Sequence, residues 1–120
     1  MKPDIPTTKE RLNHAISAIE KIQSFAKEYS LKKFIADEKT KSACLYQFAI
    51  ISEATSHVDH DILEKYEYPW FKIRAFRNFI LHEYHGIEMR IVWETIQDIL
   101  PDLKTLLEKI LVNEFRSNPL

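Results

Sequence analysis

Chemically versatile side chains crowd into one short stretch of this 120-residue chain: Arg77, Asn78, His82, Tyr84 and His85. On a helix, at about 100° per residue, Asn78 and His82 lie roughly 40° apart. Arg77 and Tyr84, seven residues apart, fall within roughly 20° of each other. The four make a continuous arc beside an apolar stripe of Trp70, Ile73, Phe76 and Ile80. Arg77 is a permanent cation whose guanidinium can fork onto a phosphate. The His82 imidazole can give or take a proton near neutral pH, and the Asn78 amide can orient either partner. A hydrogen-bond donor for a phosphate, a proton shuttle and an orienting amide are the groups that metal-free RNA cleavage needs. Local charge agrees: Lys72, Arg74, Arg77 and Arg90 outweigh Glu83 and Glu88 in a chain of net charge -1. Taken alone, the same residues also fit a structural ion pair and a hydrogen-bonded histidine.

The elements that must position these groups read as helices. The chain holds one glycine, where average usage of ~7% would supply about eight. Sheets need many tight turns with positive φ, which glycine mostly provides, so an all-β fold and a glycine-cradled nucleotide site are excluded. A capping box at Thr7 and Glu10 opens the first helix. Behind it Leu12, Ala15, Ile16, Ile19, Ile22, Ala26 and Tyr29 form one stripe of period 3.6, with Arg11 and Lys9 among the charges outside it. A connector at 31–36 leads to a second helix from about Asp37 to Ser56, apolar nearly all round its middle, as expected of a central helix or one facing a partner. Glu53 lies at its end, either as a carboxylate in water or as a buried partner for an Arg or His. A third helix starts at Pro69-Trp70 and continues through Tyr84, with Gly86 placed for a left-handed cap. The stripe from Val92 to Leu111 keeps its period across Pro101, which predicts one kinked helix or a break just before the proline. The expected architecture is a single all-α domain over 1–120, an antiparallel up-and-down bundle of four to five helices, with ends frayed at about 1–6 and 114–120.

Other bounds are quickly set. No bulk basicity advertises nucleic acid, since the sequence pI is about 6.5. The single Cys44 has no internal partner, the first residues lack the apolar run of a secretion signal, and no stretch approaches a membrane span; together these lead us to expect a soluble cytoplasmic protein. His57, Asp59, His60 and Asp61 are competent metal ligands, but neighbours on one segment seldom converge on an ion, so a polar loop or short helix is expected there. No cofactor and no metal site is expected.

Arg77-Asn78-Phe79-Ile80-Leu81-His82 followed by Glu83-Tyr84 resembles the R-x4-H-x-Y signature of HepT-like toxins in the HEPN superfamily. The likeness is wider than the motif. Tyr68-Pro69-Trp70 precedes it at the usual distance, and His85-Gly86-Ile87-Glu88 with Val92-Trp93-Glu94 follows. Leu100-Pro101-Asp102-Leu103 is similar to the family's Leu-Pro-x-Leu segment, and Ile50-Ile51-Ser52-Glu53-Ala54 stands where the family tends to have Ile-Gly-Glu-Ala. Ser52 thus replaces a usual glycine, and Glu88 a frequent aspartate. The resemblance implies a dimerising all-α bundle that joins two motifs in one cleft. It further implies a metal-independent endoribonuclease, the toxin of a type VII-like toxin–antitoxin pair, with RNA as substrate. Its partner would be a minimal nucleotidyltransferase antitoxin of the MntA type, which transfers AMP to the motif tyrosine, here Tyr84. Arg77 and His82 are then the catalytic pair and Asn78 its polar support, with Glu53, Arg74 and His85 as supporting residues. The alternative is a non-catalytic HEPN module that binds a nucleotide or the partner nucleotidyltransferase.

Overall fold

The first four helices each start at a capping residue. The Thr7 hydroxyl accepts the Glu10 N–H at 3.1 Å while the Glu10 carboxylate accepts the Thr7 N–H at 2.9 Å, and this reciprocal box opens α1 (Thr8–Phe25). Ser30 caps α2 (Leu31–Ala36), Asp37 caps α3 (Glu38–Ser56) and Asp59 caps the short α4 (His60–Leu63). The structure, a computed structural model, describes the backbone of residues 5–83 and 89–115, and the side chains of these except at 81–83. The expected glycine cap at Gly86 lies outside the described residues. Among the described residues every regular element is helical, so the chain is all-α as the glycine count requires.

Helix α3 is central. It packs against α1, against α2, and against the segment α5 (Trp70–Arg74), a 3₁₀ turn (Ala75–Arg77) and α6 (Asn78–Glu83). On its far side α1 also meets α8 (Leu100–Phe115), while α2 meets α7 (Met89–Glu94). The core between them holds Leu12, Ile19 and Ile22 of α1, Leu45, Phe48 and Ile51 of α3, and Leu100, Leu103, Leu107 and Ile110 of α8. Each such side chain contributes roughly 1.5–3 kcal/mol by leaving water. The stripe read from α1 is therefore the core stripe, with Tyr29 half-buried at its end. Cys44 lies in the same core, where burial pushes its thiol up to about 12 and leaves it unreactive.

Two boundaries differ from the periodicity. The expected third helix is interrupted, because the 3₁₀ turn separates α5 from α6. Winding tighter there eclipses residues three apart, and Phe76 stacks on Phe79 with ring centroids 5.6 Å apart. Both rings then present themselves to Phe48 of α3 in edge contacts at 5.0 and 5.1 Å. At Pro101 the helix neither stops nor simply bends. A π-turn over Thr95–Ile99 precedes the proline, and the Leu100 N–H reaches the Thr95 carbonyl five residues back. Widening the turn relieves the clash of the proline ring with the carbonyl four residues earlier. The Thr95 hydroxyl bonds the Ile91 carbonyl at 2.8 Å on the same turn. The chain end expected to fray from Glu114 is held further out: α8 runs to Phe115, and the Glu114 carboxylate accepts hydrogen bonds from Lys65 and Tyr66, each at 2.9 Å.

Asp37 fastens the segment after α1 to the start of α3. Its carboxylate accepts the Thr40 N–H at 3.0 Å, the Tyr29 hydroxyl at 2.7 Å and the Thr40 hydroxyl at 2.8 Å. These donors, the Thr40 backbone first, hold its pKa down at about 2 against an ordinary 3.8. A depressed acid stabilises the fold above its unfolded pKa and loses that contribution as pH falls through the folded one. The stability gap between the parent and Asp37→Asn should therefore narrow as pH falls from 3.8 to about 2. Urea unfolding across that window measures it, and a constant gap would refute this role.

Candidate functional site

The 3₁₀ turn that interrupts the α5–α6 segment sets the position of Arg77. In an α-helix the Asn78 N–H would bond the Arg74 carbonyl; here it turns back to Ala75 and Phe76. The Arg74 carbonyl is taken up from across the interface by the Ser52 hydroxyl at 2.5 Å. Ser52 is 2% exposed while Arg74 is exposed, so this is a part-buried hydrogen bond between α3 and the start of the turn. The residue that departs from the family's usual glycine thus acquires a partner of its own. Arg77 closes the turn and stands exposed at its end.

Arg77 opens onto a cleft of about 580 Å³ between α1, α3 and the turn. From α3 the lining comprises Ala49, Ile50, Ser52, Glu53, Ala54 and Ser56, with His57 just past the helix end; from α1 it comprises Arg11 and His14. Glu53 and His57, one helical turn apart, are joined through Nε2 and Oε1 at 2.9 Å. Both are more than half exposed, so the pair adds only about 0–1 kcal/mol of stability. Its use is to keep the carboxylate occupied. Among the described residues neither Arg11 nor Arg77 enters an ion pair, so the cleft sets two arginines against the single carboxylate of Glu53.

The expected site residues are thus only partly assembled on one surface. Arg77 and Glu53 share the cleft. Asn78 is half-buried at the start of α6, and the His82 backbone lies one turn further along the same helix, which preserves their common face. The His82 side chain, Tyr84 and His85 lie outside the described residues. Arg74 is not brought to the cleft: its side chain borders a separate depression with His60, Glu64, Tyr66, Trp70 and Phe71, and its backbone carbonyl alone connects to Ser52. His57 bonds Glu53, and Asp59 caps α4 through the Asp61 N–H at 2.9 Å, so this segment serves helix ends. The sequence reading passed over Arg11 and His14. Arg11 follows Lys9 and Glu10 at the edge of the apolar stripe, and nothing in that spacing separates it from a solvated charge.

The family profile described as "Ribonuclease HepT-like" matches residues 15–110, which include the whole α3–turn–α6 arrangement. The chain belongs to the HepT-like ribonuclease family. A Thermococcus cleftensis protein named "Probable ribonuclease HepT" is 32% identical over 103 residues, covering 85% of this chain and 94% of the relative. A Caldanaerobacter subterraneus protein with a provisional RNase name is 31% identical over 109 residues, covering 90% of this chain and 97% of the relative. A Methanocaldococcus jannaschii protein, also provisionally named an RNase, is 31% identical over 97 residues, covering 80% and 84%. No solved structure matches the chain. No helix among the described residues is long and apolar enough to cross a membrane.

Replacing Ser52 by Ala removes the side-chain partner of the Arg74 carbonyl at a part-buried contact. The loss should be about 0.5–1.5 kcal/mol, the usual net worth of a hydrogen bond. A urea titration that finds a loss below about 0.5 kcal/mol, as at an indifferent surface position, would contradict this role.

Proposed function

We propose that this HepT-like protein is a metal-independent endoribonuclease. The observation that carries the reading is Arg77, unpaired among the described residues, at the mouth of a cleft in a chain with the whole R-x4-H-x-Y sequence. The His82 imidazole, from the same subunit or its copy in a homodimer, takes the proton of a ribose 2′-hydroxyl. The 2′-oxygen attacks the adjacent phosphorus, and the bond to the 5′-oxygen breaks as that oxygen gains a proton. One product ends in a 2′,3′-cyclic phosphate and the other in a 5′-hydroxyl. Arg77 stabilises charge growing on the phosphoryl oxygens, a fixed electrostatic contribution of the kind that usually dominates catalysis. Asn78 holds the imidazole or a phosphate oxygen in register.

In this reading the protein is the toxin of a type VII-like pair, and transfer RNA is a candidate substrate. A minimal nucleotidyltransferase of the MntA type transfers AMP to the Tyr84 hydroxyl, releasing pyrophosphate from ATP. The added phosphate and adenosine obstruct the substrate by bulk and by charge repulsion.

Purified protein incubated with total transfer RNA in EDTA should cut it, and His82→Ala should lower cleavage by at least the 10²-fold that a positioned acid–base group contributes. Circular dichroism of the variant should remain helical. Equal cutting by His82→Ala would refute the assignment. A folded parent that binds RNA or the nucleotidyltransferase without cutting would identify an interaction module instead.

A further inference from the structure

The motif accounts for one wall of the cleft, and α1 supplies the other. Arg11 is half-buried there, with a fully buried Nε that has no hydrogen-bond partner among the described residues. Arginine ordinarily buries its stem and keeps its donors in water or on a carboxylate. The carboxylates that flank it are engaged elsewhere: Glu10 with the Thr7 backbone and Glu53 with His57. The guanidinium therefore has no carboxylate partner among the described residues, and an anion in the cleft that Arg11 lines can supply one. His14, one turn on along α1, lines the same cleft.

We propose that Arg11, assisted by His14, is a second phosphate-binding group, holding an RNA phosphodiester that neighbours the one at Arg77. The site deepens the nuclease reading and rests on it for the identity of the anion. The volume of about 580 Å³ is that of a pocket for a whole small ligand, larger than one phosphoryl group needs. Cations on two separate elements, α1 and the 3₁₀ turn, grip a strand across the groove between them. Ala49, Ile50 and Ala54 give the cleft an apolar floor, which strengthens charge-assisted contacts beside it. Its described lining contains no Phe, Tyr or Trp on which a base could stack. Contacts here therefore fall on the sugar-phosphate backbone, which positions a strand without reading its sequence.

The test separates binding from cutting by working in the His82→Ala protein. A fluorescein-labelled, unstructured 12-nucleotide RNA is titrated by anisotropy at several KCl concentrations. Adding Arg11→Gln should weaken binding roughly tenfold, in the range of a hydrogen bond to a charged group. The slope of log K against log salt should shrink by about 0.7, the single-strand value for one phosphate contact. Lys27→Gln, on the exposed end of the turn after α1, should leave both unchanged. Arg11→Lys should keep the salt slope and lose part of the affinity, since a point charge replaces the fork. Should Arg11→Gln fail to fold, His14→Glu carries the test, because a carboxylate on this exposed position must repel the strand. Unchanged affinity and slope in the Arg11 or His14 variant would overturn the site. The two readings fail separately. Cleavage by the parent with no Arg11 or His14 effect removes the phosphate site alone; weakened binding in a protein that never cuts removes the nuclease alone.

Discussion

The Ser52 hydroxyl, buried on the central helix, holds the carbonyl that the 3₁₀ turn releases, and this contact fixes where the α5–α6 segment meets the bundle. The turn and the aromatic cluster support each other. Tighter winding lets Phe76 stack on Phe79, the two rings set their edges and faces against Phe48, and that packing stabilises the tightened register. Arg77 is the last residue of the turn, so it inherits a fixed base although its own side chain is exposed. A cation meant for a transition state gains from such a base, because no reorganisation is needed when charge develops.

Around that base the cleft has an unequal charge distribution. Its one acidic side chain is tied to a histidine, while its two arginines have no carboxylate among the described residues. A chain of net charge -1 thus presents a local cationic surface without bulk basicity. Such a surface attracts a phosphate backbone over short range and weakens with salt, as electrostatic nucleic-acid contacts do.

Much of this was legible in the letters. Capping residues at Thr7 and Asp37, the α1 stripe and the shortage of glycine specify the helices, because each depends on a local rule. The motif around Arg77 was legible through its resemblance to a family signature, since taken alone Arg, Asn and His at that spacing also fit an ion pair and a hydrogen-bonded histidine. The break at 75–77 was not. Phe76 and Phe79 fit an ordinary helix equally well, and their stacking on Phe48 is a tertiary preference that overrides local winding. Pro101 was read as a kink or a break, while the π-turn that accommodates it depends on the Thr95 carbonyl being reachable from Leu100. Arg11 stayed hidden for a different reason: what distinguishes it is the burial of one nitrogen, which depends on tertiary packing and not on the spacing within α1. Arg74, three residues before Arg77 and expected to support it, borders a different depression, a placement that sequence spacing alone does not reveal.

The central claim is that a protein imidazole and a guanidinium, without a metal ion, turn the RNA's own 2′-hydroxyl against its neighbouring phosphate. The chemistry of the cut ends tests it most directly. RNA cleaved by the purified protein in EDTA is digested to nucleotides and its termini are identified by mass spectrometry. The account predicts 2′,3′-cyclic phosphate and 5′-hydroxyl ends. Fragments carrying 3′-hydroxyl and 5′-phosphate ends, made by attack of water, would contradict it.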